Sequence, residues 1–258
     1  MNGGDTWRRT VVSYLTATEL DRIAALGGAP PTAPATWTPA ALAHYVDHTL
    51  LSPDARPADV ERVCGEARQW NTYSVCLNSG YAPLAHTLLR GTPVHLAVVV
   101  GFPLGSMATP VKAFEAEWSV QAGADELDMV IDLGRLKAGD YGGVLADLRA
   151  VRAAAPAPIV LKVILETGLL TADEKGIAAL LAAAVGADYV KTSTGFGAGG
   201  ATTEDVRLLR DTVGWSVGVK ASGGIRTWND ALRLLQAGAS RLGMSQTTAV
   251  LREGISHA

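Results

Sequence analysis

Hydrophobic and polar positions fall into two alternating patterns from about residue 37 onward. Short apolar, β-branched runs are Tyr45–Thr49, Ser74–Leu77, His95–Val100, Glu126–Ile131, Ile159–Leu165, Asp188–Thr192, Ser216–Lys220 and Ser240–Met244. Between them lie longer segments with apolar residues at helical spacing, such as Pro57–Trp70, Thr109–Gly123, Gly142–Ala155, Thr171–Gly186, Thr203–Val213 and Thr227–Ala237. Helices joining successive strands require parallel pairing. Eight such units predict an α/β fold of the TIM (β/α)8 barrel type. Gly123, Gly186 and Gly238 close three of the helices at the left-handed position that ends a helix.

The N-terminal stretch follows a different rule. Val11, Tyr14, Leu15, Leu20, Ile23 and Leu26 predict one helix within residues 7–26, and the Gly/Pro/Ala run 27–34 predicts a tether. The expected organisation is therefore an N-terminal helical extension with a Pro/Ala-rich linker over 1–36 and one barrel over 37–258. Whether the extension covers a partner or its own barrel is left open by its sequence.

Composition narrows the function classes. Hydrophobic residues make up 48% of the 258, enough for a large core. A net charge of −3 lacks the basic balance of a nucleic-acid binder. No apolar run reaches membrane-span length, and the charged N-terminal stretch does not read as a secretory signal. Two cysteines, Cys64 and Cys76, suit a reducing compartment, so a cytoplasmic protein is expected. The five histidines, His44, His48, His86, His95 and His257, show no metal-ligand spacing, and neither metal nor cofactor is expected. His48 either lines the site beside Asp47 or is a satisfied polar residue at a strand end.

Barrel sites lie at the C-terminal ends of the strands, so polar residues late in the apolar runs are the candidates. Lys191 and Lys220 end the sixth and seventh runs, Asp128 lies in the fourth, and Lys162 and Glu166 lie in or after the fifth. Two ammonium groups ~4 Å apart at an effective dielectric near 20 repel by about 4 kcal/mol. That repulsion lowers one lysine from ~10.4 towards ~7, where its neutral amine can attack a carbonyl and form a Schiff base. Asp128 is placed to move protons. The competing structural explanation pairs each lysine with Asp128, Glu166 or Asp47. Lys162, mid-strand, fits a supporting ion pair, and Cys76, facing the barrel mouth, fits a small packing residue. The loops at Gly223-Gly224 and Ser245 occupy the usual barrel phosphate position, and Gly195 lies in another Gly-rich collar after the sixth run. Together these features point to a small phosphorylated carbonyl compound.

Six segments then carry a family likeness. Asp47-His48-Thr49-Leu50-Leu51, Val99–Gly105, Gly123–Val130, Leu161–Thr167, Val190–Gly197 and Gly218–Thr227 resemble, in order and at barrel spacing, the deoxyribose-phosphate aldolase family. The resemblance implies a class I aldolase, a lyase that reversibly cleaves 2-deoxy-D-ribose 5-phosphate to D-glyceraldehyde 3-phosphate and acetaldehyde. It implies Lys191 as the Schiff-base residue, Lys220 as its perturbing partner and Asp128 as proton donor and acceptor. It carries phosphate contacts to Gly195, Gly223, Gly224 and Ser245, and Thr194, Asp47 and Thr49 join the expected substrate contacts. Gln246 follows Ser245 where the family often has a second serine, and the chain lacks the terminal Tyr of some members. A phosphosugar-binding barrel without catalysis, and a Schiff-base aldolase with another aldehyde, are the alternatives. Expected partners are a small phosphorylated sugar and acetaldehyde, with no nucleic acid or membrane, and self-association as a dimer or tetramer.

Overall fold

Parallel β-branched runs joined by helices can bury both faces either in an open doubly wound sheet or by closing on themselves, and this chain closes. The computed structural model describes residues 4–197 and 199–256, with side chains from residue 7 onward; His257 lies outside them. Helices α1 (Gly4–Val12), α2 (Ala17–Ala24) and α3 (Pro39–Ala43) precede the first strand. Then come β1 (Val46–Leu50), α4 (Pro57–Trp70), β2 (Ser74–Leu77), α5 (Ala82–Leu89), β3 (His95–Val100), α6 (Thr109–Gln121) and β4 (Glu126–Val130). After α7 (Leu133–Lys137) and α8 (Tyr141–Ala154) follow β5 (Val160–Ile164), α9 (Ala172–Ala184), β6 (Tyr189–Lys191) and α10 (Thr203–Val213). The last elements are β7 (Gly218–Ser222), α11 (Trp228–Gln236), β8 (Arg241–Met244) and α12 (Thr247–Ile255). The strands close in sequential order, all parallel, with β8 pairing back onto β1.

Alternation along the strands sorts the side chains into two environments. Val98, Val100, Met129, Ile131, Val163, Leu165, Val190, Val219 and Leu242 face the helices in one continuous core. Cys76, Ala97 and Val99 form a separate cluster with Leu51 inside the barrel. Strand β7 extends to Ser222, so Lys220 lies mid-strand and not at its end as the apolar run implied. The cause is continued pairing beyond that run: Ser222 is in register with Gly243, and its N–H donates to Thr192 Oγ1 at 3.1 Å. Lys191 and Lys220 are Cα partners across β6 and β7.

The extension contains two helices, because Thr16 starts a new one with a reciprocal capping box to Glu19. Both pack on α9 of the same chain. Trp7 lies over Gly176, where a Cβ would come within 2.9 Å of its ring, and Val11 is fully buried. Glu19 accepts from Arg149 Nε and Nη2 at 2.8 and 2.6 Å. This explains the composition of α9, which is buried from Gly176 to Ala184 without a polar outer face. Among the described residues no helix is long and apolar enough to cross a membrane.

The Arg149 hydrogen bonds hold the Glu19 carboxyl at about 2, below its ordinary 4.5, and outweigh its burial. A depressed carboxylate stabilises the folded state above its unfolded pKa and loses that contribution as pH falls through the folded one. Arg149→Ala is therefore expected to lower the thermal midpoint at pH 7. The deficit should shrink as pH falls from about 4.5 towards 2, read by scanning calorimetry across that range. A deficit independent of pH would refute the coupling.

Candidate active site

Inside the barrel, inward-facing positions of six strands gather four cationic side chains, Lys162, Lys191, Lys220 and Arg241, around three carboxylates, Asp47, Glu126 and Asp128. All seven are buried. Lys162 Nζ lies 2.6 Å from Glu126, 2.7 Å from Asp128 and 3.6 Å from Asp47. Lys220 donates to Asp47 and, at 2.7 Å, to Asp128 Oδ2. Arg241 reaches Asp47 at 2.8 Å and Glu126 at 3.2 Å, with its guanidinium 3.4 Å above the Tyr73 ring. Lys191 has one carboxylate partner among the described residues, Asp128 Oδ2 at 2.7 Å. Lys191 and Lys220 thus bind the same oxygen, and their nitrogens are separated by at most twice that distance.

This arrangement gives the three lysines different protonation preferences. Burial opposes charge on all of them. For Lys162, Asp128, Glu126 and Asp47 outweigh burial and hold the amine well above its usual range. For Lys220, Asp128 and Asp47 likewise outweigh burial and raise it. For Lys191 burial prevails, with the Lys220 charge adding to it against the pull of Asp128, and its pKa is lowered. The sequence argument put the neighbouring ammonium first; the structure puts burial first and the twin lysine as a reinforcement. Asp128 is itself held well below its usual value, since Lys162, Lys191 and Lys220 overcome its burial.

The other side of the barrel interior is apolar. Val99, Val130 and Ile164 alternate with the helix-facing residues of their strands, beside Cys76 and Leu51. Cys76 Sγ is 4.0 Å from Asp128 Oδ2. Burial, followed by the Asp128 charge, pushes this thiol up, so it stays neutral.

Above the ion cluster opens a cavity of about 400 Å³. Lys191, Thr49, Thr194, Gly195, Gly223, Gly224 and Ser245 all line it, so the structure brings together most of the residues singled out in the sequence. Gly195, Gly223 and Gly224 adopt positive φ of 85°, 85° and 79°. A Cβ on Gly223 would come within 3.1 Å of the Gly200 Cα, so the loops after β6 and β7 stack backbone on backbone. The cavity wall also includes Arg226 and Gln246. Sequence reasoning passed over Arg226 and Arg241. The available signals were a guanidinium two residues beyond Gly-Gly and an arginine opening an apolar strand.

Two expectations fall elsewhere, and of the two readings left open for His48 the structure takes the one away from the site. Asp47, grouped with substrate contacts, is absent from the cavity wall and sits among Lys220, Arg241 and Lys162. His48 points to α4, where its Nε2 lies 2.7 Å from Glu66 Oε2. Glu166, a considered lysine partner, instead accepts from the backbone N–H and hydroxyl of Thr194. Among the described residues no three His, Cys, Asp or Glu side chains cluster with metal-holding geometry.

Comparison with known proteins gives a consistent set of relatives. A family model described as DeoC/LacD family aldolase matches residues 41–253. The deoxyribose-phosphate aldolase of Carboxydothermus hydrogenoformans is 50% identical over 214 residues, 82% of this chain and 94% of that one. That of Coprothermobacter proteolyticus is 52% identical over 208 residues, 81% and 94% of the two chains. Among solved structures, the tetrameric deoxyribose phosphate aldolase of Aeropyrum pernix superposes with a TM-score of 0.79 at 32% identity. It covers 97% of this chain and 99% of its own.

Removing the Lys220 charge should make protonated Lys191 less costly. Lys220→Leu is expected to shift the pH midpoint for reductive alkylation of Lys191, by an aldehyde with cyanoborohydride, upward. Peptide mass spectrometry across pH measures it. An unchanged midpoint would mean that burial alone sets the Lys191 amine.

Proposed function

The chain belongs to the DeoC/LacD aldolase family, and we propose that it is a class I deoxyribose-phosphate aldolase. The proposed reaction is reversible cleavage of 2-deoxy-D-ribose 5-phosphate to D-glyceraldehyde 3-phosphate and acetaldehyde. The observation carrying this reading is the placement of Lys191, with its lowered pKa, at the cavity floor, on the same carboxylate oxygen as the charged Lys220.

In this reading the neutral Lys191 amine attacks C1 of the open-chain sugar, and loss of water leaves a protonated imine. Asp128 takes the proton of the C3 hydroxyl as the C2–C3 bond breaks, with Lys220 stabilising the charge at that oxygen. The bonding electrons pass into the imine, giving an enamine, and glyceraldehyde 3-phosphate departs. A proton returned by Asp128 to the enamine carbon restores the imine, and water releases acetaldehyde and the free amine. Lys162 holds Asp128 in place through its 2.7 Å bond. Leu51, on the cavity wall and packed against Cys76, Ala97 and Val99, suits the two-carbon fragment. At the other end, the amides of Gly195, Gly223 and Gly224, the Ser245 hydroxyl and the Arg226 guanidinium suit the phosphate, beside the N-terminus of α12. Residues 37–258 are then the catalytic barrel and residues 1–36 an accessory strap. Two free buried cysteines fit a cytoplasmic location.

Borohydride with acetaldehyde should add a reduced two-carbon group to Lys191, seen by mass spectrometry. Lys191→Ala should lower glyceraldehyde 3-phosphate release by at least about 10³-fold, and Asp128→Asn by about 10²-fold or more, with the fold retained. An adduct confined to surface lysines, or release from another sugar phosphate only, would overturn the assignment.

Self-association as a dimer or tetramer also belongs to this reading. Val111 and Phe114, 53% and 67% exposed, share a face of α6 with Trp118, and Leu104 and Met107 continue it. Exposed apolar side chains grouped on one helix face suit a surface for self-association. Sedimentation should show an oligomer for the native chain and a smaller species for Phe114→Glu; a native monomer would remove this part of the reading.

A further inference from the structure

Glu166 is costly to place as the structure has it. It follows β5 with φ 55°, and Asn71 is the one other non-glycine residue with positive φ among those described. The residue is 3% exposed, and among the described residues its Oε1 has no hydrogen-bond partner. It pairs with none of the lysines. Strained backbone and an orphaned buried acceptor persist where the surroundings hold them for a purpose.

What Glu166 does touch is the phosphate-side loop. Its Oε2 accepts from Thr194 N–H at 3.2 Å and from the Thr194 hydroxyl. Thr194 Oγ1 in turn accepts from Phe196 N–H at 3.1 Å, so the turn bracketing Gly195 is tied to the carboxylate. The loop then folds over it: a Cβ on Gly197 would lie 3.0 Å from the Glu166 carboxyl carbon. Beneath, Thr167 N–H donates to Thr192 O at 2.8 Å and Leu165 N–H to Lys191 O at 2.9 Å. One carboxylate therefore links the end of β5 to the segment carrying both the reactive amine and the first cavity-lining glycine.

We propose that Glu166 is a positioning residue that clips the 193–197 loop at the height where its amides receive the substrate phosphate, and so sets the preference for phosphorylated over phosphate-free sugar. The proposal rests on the phosphate-site reading above. Its action is through hydrogen bonds to Thr194, without contact to the reacting atoms. Loss of the clip leaves Lys191, Asp128 and Lys220 in place on their strands, and affects the distal end of the cavity.

The test measures KM and kcat for retro-aldol cleavage of 2-deoxyribose 5-phosphate and of 2-deoxyribose. The proteins are the native chain, Glu166→Ala, Glu166→Gln and Gly197→Ala, each checked for fold by circular dichroism. Glu166→Ala is expected to raise KM for the phosphorylated sugar about tenfold, the scale of one lost buried hydrogen-bond set. Its KM and kcat for 2-deoxyribose should stay within about threefold. Glu166→Gln, whose amide oxygen still accepts from Thr194, should remain near native. Gly197→Ala, which pushes the loop off the carboxylate from the other side, should reproduce the alanine effect. Should Glu166→Ala fail to fold, Gly197→Ala decides. Equal losses on both sugars, an unchanged KM, or a Gln variant as impaired as Ala would overturn the clip. If the native chain itself bound both sugars equally, the phosphate-site reading would fall first, a result distinct from failure of Glu166 alone.

Discussion

Four cations enclosed with three carboxylates is a charge imbalance that low-dielectric surroundings penalise. Burial opposes charge on every member of the cluster, and the geometry determines which of them it opposes most effectively. Arg241 keeps its charge because Asp47 and Glu126, outweighing its burial, raise it further. Lys162 touches three carboxylates and Lys220 two, whereas Lys191 shares one oxygen of one aspartate. Lys191, which also borders the cavity, is therefore the member of the cluster whose charge has the least support. Its lowered pKa follows from unequal sharing of carboxylates as much as from proximity of two amines.

The rest of the barrel maintains that inequality. Asp47 engages Lys220, Lys162 and Arg241 below the cavity, where it cannot reach Lys191. Arg241 is held between Tyr73 and Tyr189, its Cζ 3.4 and 5.1 Å from the two ring centroids, and it also donates to the Tyr189 hydroxyl at 3.2 Å. Gly218 leaves room for the Tyr189 ring, since a Cβ there would overlap it. On the opposite side Val99, Cys76 and Ala97 supply no further acceptor apart from a neutral thiol, so nothing there competes with Asp128 for the Lys191 amine. Such fully paired polar interiors are rigid because every displacement breaks several charge-assisted bonds.

Much of this was legible in the sequence because strand periodicity places alternate residues inside a closed barrel. Lysines inside apolar runs at 191 and 220 stand out by composition alone, and the Gly-rich loops follow two of those strands. Arg241 was less visible: an arginine opening a strand looks like an edge residue until β8 is known to close on β1. Arg226 was hidden because its place in the cavity wall depends on where a loop turns. Asp47 was placed one layer too high, because chain position says that it is in β1 but not how deep its register with Gly243 lies. The two-helix strap escaped the periodicity argument, since Val11, Leu15, Leu20 and Ile23 keep helical spacing across the Thr16 cap. The clearer clue to its docking was α9, apolar on every face from Gly176 to Ala184.

The same backbone segment joins the two ends of the proposed chemistry. Lys191 and Gly195 are four residues apart, and the chain between them is held at Leu165, Thr167 and Glu166 by successive hydrogen bonds. The distance from amine to phosphate amides is thus a property of one pinned strand end, not of two independently mobile loops. The β7 loop is locked to it, because Ala201 N–H donates to Ser222 O and Gly223 O at 3.1 and 3.0 Å. In the proposed reaction, a substrate that forms an imine at one end while its phosphate sits at the other spans the cavity between these hydrogen-bonded segments. Binding energy at the phosphate then serves to align the C2–C3 bond with Asp128.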